Sequence, residues 1–122
     1  MLNVFVGRDR ESAIKEVRDG HDEFIRFLAP YGRFTSYLES DGVTPKPFDY
    51  RPEVEDSIDQ RIMAIGSVDD VVDVIAAYQE ELGLEHLIVF PEFPGLTREQ
   101  IDEQMHLVAE EVLPRLGAPL RP

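Results

Sequence analysis

Apolar residues recur along the chain with two periods, and the alternation between them predicts the element order. Leu2–Val6, Ile62–Ile65 and His86–Phe90 are short, mainly apolar runs bounded by Gly7, Gly66 and Pro91, the form of buried strands. Between them the spacing changes to three and four. Ala13, Ile14, Val17, Phe24, Ile25, Phe27 and Leu28 predict a helix over Arg10–Leu28, capped by Asp9 and bent at Gly20, where Gly20 and His21 interrupt the stripe. Val68, Val71, Val72, Ile75, Tyr78 and Leu82 predict a second long helix. Ser67 is its N-cap, Asp69 and Asp70 face the positive end of its dipole, and Gly83 is its left-handed terminator. Ile101, Met105, Val108, Val112 and Leu116 predict a last helix, which Thr97 and Gln100 open as a capping box and Pro114 closes, leaving Gly117–Pro122 to fray.

Arg61–Gly95 reads as strand, turn, helix, strand and loop, a βαβ unit with two parallel strands, and the rest of the chain is arranged around it. The whole is an α/β chain in a single domain. One stretch breaks the pattern. After the stop at Ala29-Pro30-Tyr31-Gly32, residues 33–52 form an irregular excursion, and Glu53–Gln60 then forms a short acidic helix. Tyr31, Phe34, Tyr37, Phe48 and Tyr50 crowd this region, either folded back onto the core or lining a pocket.

Charge narrows the range of partners. Over 122 residues, 25 acidic against 12 basic side chains give a formal charge of −13, which argues against nucleic acid and anionic membrane surfaces. No apolar run approaches the roughly 18 residues of a membrane span. Cysteine is absent, so disulfides, thiolate metal sites and cysteine nucleophiles are excluded. This fits a cytoplasmic protein, and the first ten residues lack the features of a signal peptide.

Candidate chemistry is sparse. Gly66-Ser67, between a strand and a helix N-terminus, suits an anion, although ordinary capping needs the same two residues. Phe90, Glu92 and Phe93 follow a parallel strand at its carboxyl end, where α/β proteins bind ligands, and Glu92 is either an acid/base or a surface carboxylate. Glu103 and His106 have the Glu-x-x-His spacing of carboxylate metal sites, but such a pair occurs readily by chance on a strongly charged helix, and the expectation is no metal. His86, at the start of its strand, reads as structural. Nucleotide-loop and serine-nucleophile signatures are missing.

The run RIMAIGSVDDVVDVIAAYQEELGLEHLIVFPEFPGLTREQIDEQMHLVAEEVLPRLG resembles the C-terminal end of the flavin-dependent luciferase-like monooxygenases. The likeness rests on a strand, a Gly-Ser turn and the opening Ser67-Val68-Asp69-Asp70-Val71. It continues through Gly83-Leu84-Glu85-His86 and Glu110-Glu111-Val112-Leu113-Pro114, and VFVGRDRESAIKEV resembles the family's entry into this region. Val68 stands where the family usually has proline. The resemblance implies a partial (β/α) barrel, the last strands of a fold that needs about 250 residues when complete. It also implies a cofactor, FMN or a deazaflavin, with Gly66, Ser67, Phe90, Glu92 and Phe93 and the Arg33–Arg51 loop contributing to the pocket wall. An apolar substrate and oxygen insertion complete the implied activity. The catalytic half has no counterpart, so the chain is expected to be inactive alone. A partial barrel leaves strand edges and inward faces bare, which predicts a homo-oligomer or a partner subunit that supplies the missing strands. The alternative is a non-catalytic α/β module that self-associates through its exposed sheet.

Overall fold

Leu2–Val6 (β1) is the strand on which the sheet is built. In the computed structural model, which describes residues 1–31, 34 and 36–116, it lies between β2 (Met63–Gly66) and β3 (Val89–Phe90), both parallel to it. The register runs from Asn3 opposite Met63 to Val6 opposite Gly66, and the Gly7 amide extends it by donating to the Gly66 carbonyl at 2.8 Å. On the other side Leu2 and Asn3 face Val89 and Phe90. β3 is shorter than the predicted His86–Phe90 because β1 begins at Leu2, leaving little strand for the earlier residues to pair with. Gly32, Arg33, Thr35 and residues 117–122 lie outside the described residues, and with them the predicted helix stop at Gly32, part of the excursion and the fraying of the tail.

Side chains alternate across β1. Leu2, Val4 and Val6 meet Ala64 of β2 and α3 (Val68–Leu82) through Val71, Val72 and Ile75, joined by Val108 and Val112. Phe5, Met63 and Ile65 meet α1 (Arg10–Leu28) through Ala13 and Val17, and α2 (Val54–Asp59) through Val54. Helices therefore cover both faces of an open, three-stranded parallel sheet.

The α/β class with parallel strands and flanking helices matches the expectation. Among the described residues the sheet is open and no barrel is closed, and the strand order β2-β1-β3 differs from that of successive barrel strands, which stand side by side in chain order with all helices outside. The order has a physical reason. Docking β3 beside β1 satisfies an edge that would otherwise be free, and dividing the helices between two faces covers both of them. The first connection steps one way over one face and the second steps back over the other, as a constant crossover hand requires.

The caps explain where the helices begin and end. The Asp9 carboxylate accepts from the Ser12 amide, and Ser67 and Thr97 each form reciprocal capping boxes, with Asp70 and Gln100. Gly83 ends α3 at φ 60°. α1 is a single helix of 19 residues through Gly20. Glycine is needed there because a Cβ would collide with the Pro94 carbonyl oxygen and come within 3.2 Å of Phe93 Cβ. The last helix, α4 (Arg98–Leu107), continues as a π-helical turn over Val108–Val112 and a 3₁₀ turn over Leu113–Leu116. Val108 and Val112 of the predicted stripe are buried, but Met105 is 58 % exposed and Gln104, at 4 %, points inward in its place.

Candidate functional site

All five sequence-predicted site residues lie at the carboxyl end of the sheet, on either side of β1. Gly66 ends β2 and Ser67 caps α3, while Phe90 ends β3 with Glu92 and Phe93 just beyond. Because β1 lies between the two groups, they are about 10 Å apart, two strand spacings. The β1/β3 junction is where the chain reverses its direction of winding, the position at which open α/β sheets bind ligands.

That position is filled by the chain itself. Phe93 is buried, with its ring edge-on to Phe5 at 6.3 Å and an interplanar angle of 80°, so it belongs to the core. The segment carrying it crosses to α1, and Leu96 packs on the same cluster. α4 then passes the end of β1 to reach the opposite face through Val108 and Val112. On the way, Gln104 Oε1 accepts from the Val6 amide at 2.7 Å and Nε2 donates to the Val6 carbonyl at 2.8 Å. The side-chain amide thus takes the hydrogen bonds that a longer β3 would have made.

The Gly66-Ser67 turn is committed to capping. The Ser67 amide donates to Asp70 Oδ2 at 2.9 Å and the Asp70 amide to Ser67 Oγ at 3.2 Å. The Asp70 carboxylate also occupies the space beside Gly66 that a side chain would fill. Asp69, in the same turn, is paired with Arg115 at 2.6 Å, so the helix end is already occupied by the Asp70 carboxylate and an internal ion pair. Phe90 is 40 % exposed and Glu92 is exposed, with no hydrogen bond among the described contacts.

Glu103 and His106 both lie on the exposed face of α4, and the carboxylate nearest His106 is Glu110 at 3.9 Å. Groups of three or more potential metal ligands are absent among the described residues. A groove of about 540 Å³ runs along α1 and α2, lined by Arg10, Ile14, Lys15, Arg18 and Glu55. Arg10 pairs with Asp59, and Arg18 with Glu55, so two of its cations are already neutralised.

The chemistry-bearing cluster that sequence reasoning missed lies under the excursion. His21 Nε2 is 2.7 Å from Ser57 Oγ, Ser57 Oγ is 2.6 Å from Tyr37 Oη, and His21 Nδ1 is 3.3 Å from Asp22 Oδ1. The order Asp-His-Ser resembles a nucleophilic triad. Both His21 and Ser57 are fully buried, however, and Tyr37 takes the side of Oγ that a substrate would need, so the cluster is a sealed polar network. One signal pointed to it: His21 lies four residues from both Val17 and Ile25, on the apolar stripe of α1, where a polar residue needs a buried partner.

No protein-family model, no curated protein and no solved structure matches the chain.

Proposed function

We propose that the chain is a component or truncated form of a flavin-dependent luciferase-like monooxygenase, inactive alone, that contributes part of a pocket wall when further strands are supplied. The observation that carries this reading is the placement of Gly66, Ser67, Phe90 and Glu92 at the carboxyl end of one parallel sheet, the end at which barrel enzymes of this kind bind their cofactor. The resemblance over Arg61–Leu116 supports it, as does the β2-α3-β3 unit, whose Gly-Ser turn, capping and left-handed glycine follow the pattern of the family's tail. In a barrel β3 would stand beside β2, so joining one requires β3 to leave β1. Its ladder of two residues is the shortest pairing in the sheet.

Mixing the purified chain with a separately produced N-terminal half of a luciferase-like monooxygenase tests the proposal. Flavin fluorescence and light-scattering mass are the readouts, with FMN both oxidised and reduced. The expected result is no saturable binding by the chain alone, and a defined complex that binds FMN in the micromolar range. No complex, or no binding by a complex, would overturn the reading.

A second reading has its own observation. Ile88 is 68 % exposed beside Phe90 on the one sheet edge left open, whereas all four residues of β2 at the other edge are buried. An open apolar edge suits a module that self-associates by strand pairing. In that case the chain alone forms a discrete dimer that Phe90→Lys converts to a monomer.

A further inference from the structure

Within the excursion after α1, residues 37–46 fold as a hairpin. Leu38 and Pro45 form an antiparallel bridge, the Glu39 amide donates to the Thr44 carbonyl at 2.7 Å, and the Lys46 amide donates to the Tyr37 carbonyl at 2.8 Å. Asp41 shapes the turn by accepting from the amides of Val43 and Thr44. The hairpin is fastened to the body at three places. Gln60 clamps Leu38, its Oε1 accepting at 2.7 Å and its Nε2 donating at 3.0 Å. The Tyr37 ring packs with Ile25, Phe34 and Tyr50. The Tyr37 hydroxyl reaches Ser57, and through it His21.

The third fastening has a direction. A carboxylate only accepts, so His21 donates to Asp22 from Nδ1, and its neutral ring keeps Nε2 as an acceptor. Ser57 then donates to Nε2, and Tyr37 donates to Ser57. Every proton has one place to go. A proton added at Nε2 reverses the line: His21 donates to Ser57, Ser57 turns its proton toward Tyr37, and the Tyr37 proton is left without an acceptor inside a sealed site.

The charges around the ring compete. Asp22 on α1 and Glu55 on α2 favour the cation, Arg18 on α1 opposes it, and Asp56 lies toward Tyr37. Glu55 is tied to Arg18, which tempers both. Burial outweighs the carboxylates and holds His21 below its ordinary value of 6.5.

We propose that His21 is a pH-sensitive latch: neutral, it fastens the Tyr37–Lys46 hairpin through Ser57, and protonated, it reverses the hydrogen-bond line and releases the hairpin while the sheet stays folded. The sign follows from linkage. A histidine depressed in the folded state contributes stability above its ordinary range, and that contribution is lost as pH falls through its folded value. Release therefore comes on acidification, and it uncovers Ile25, Phe34, Tyr37 and Ser57.

Amide hydrogen exchange followed by NMR between pH 7.5 and 5, corrected for intrinsic rates, tests this in the intact chain. The expected result is a loss of at least about tenfold in protection at Leu38 and Lys46, with the amides of Val4 and Val6 unchanged. Tyr37→Phe keeps the ring but cuts the hydroxyl link between the hairpin and Ser57, so protection at Leu38 and Lys46 should no longer follow the protonation of His21. Flat protection in the hairpin, a parallel loss in β1, or full pH dependence in Tyr37→Phe would each overturn the latch.

Discussion

Gln104 closes the free edge of the central strand by laying its side-chain amide along the backbone of Val6, with hydrogen bonds of 2.7 and 2.8 Å. Only one orientation of the amide satisfies both groups, since the Val6 N–H needs an oxygen and its carbonyl needs a donor. Gln104→Leu leaves a buried N–H and a buried carbonyl unpaired. Urea denaturation should show a loss of about 2–4 kcal/mol. Exposed Met105, one residue along, should tolerate Met105→Gln within about 0.5 kcal/mol.

Ser57 holds two buried partners with one oxygen. Ser57→Ala strands both His21 and Tyr37, and should cost about 2–3 kcal/mol. Adding Tyr37→Phe removes one of the stranded groups, so the double variant should lose less than the sum of the two single changes. Additive losses in a double-mutant cycle would show that the three side chains do not act as one network.

These two networks mark where sequence reading stops. The limits of α1, the Ser67 cap and the Gly83 terminator are local chemistry, and periodicity with capping residues places all three. Gln104 is different. A helical stripe written in apolar residues selects Met105, because nothing in the pattern shows that the edge of a distant strand needs an amide; the pairing spans 98 positions. His21 was legible as a polar residue on an apolar face, but its partners come from α2 and the hairpin, elements whose packing the sequence does not state. Strand order is equally hidden. The alternation of elements predicts parallel strands, while the choice between β1 and β2 as the neighbour of β3 depends on which edge most needs covering. The sequence places Gly66, Ser67, Phe90 and Glu92 at the carboxyl end of their strands, where the structure also has them. It does not show that Phe93 and Gln104 fill the space between them.

Two glycines should respond differently to the same change. At Gly20, alanine gains about 1 kcal/mol of helix propensity, yet its Cβ meets the Pro94 carbonyl and Phe93, so Gly20→Ala should destabilise by about 2 kcal/mol net. At Gly83 the space is open and only the backbone, at φ 60°, objects, so Gly83→Ala should cost about 1 kcal/mol. Thermal or urea unfolding of the two variants separates a packing cost from a backbone cost.

The hairpin turn has its own acid limit. The hydroxyl of Thr44, with the amides of Thr44 and Val43, draws the Asp41 carboxyl down from 3.8 to about 2. A carboxyl depressed in the folded state contributes above its ordinary value and loses that contribution as pH falls toward its folded one. Carbonyl-carbon NMR of Asp41 should show a midpoint at about 2. An unshifted midpoint would mean that the turn does not hold the carboxylate.

The most direct test of the proposed role is an amide map of the isotope-labelled chain, bound to an N-terminal barrel half, as FMN is added. The amides of Gly66, Ser67, Phe90 and Glu92 should shift together and saturate, while α1 and α2 stay unmoved and the chain alone shows no change. Shifts confined to the α1–α2 groove, or equal shifts without the barrel half, would contradict the proposed role.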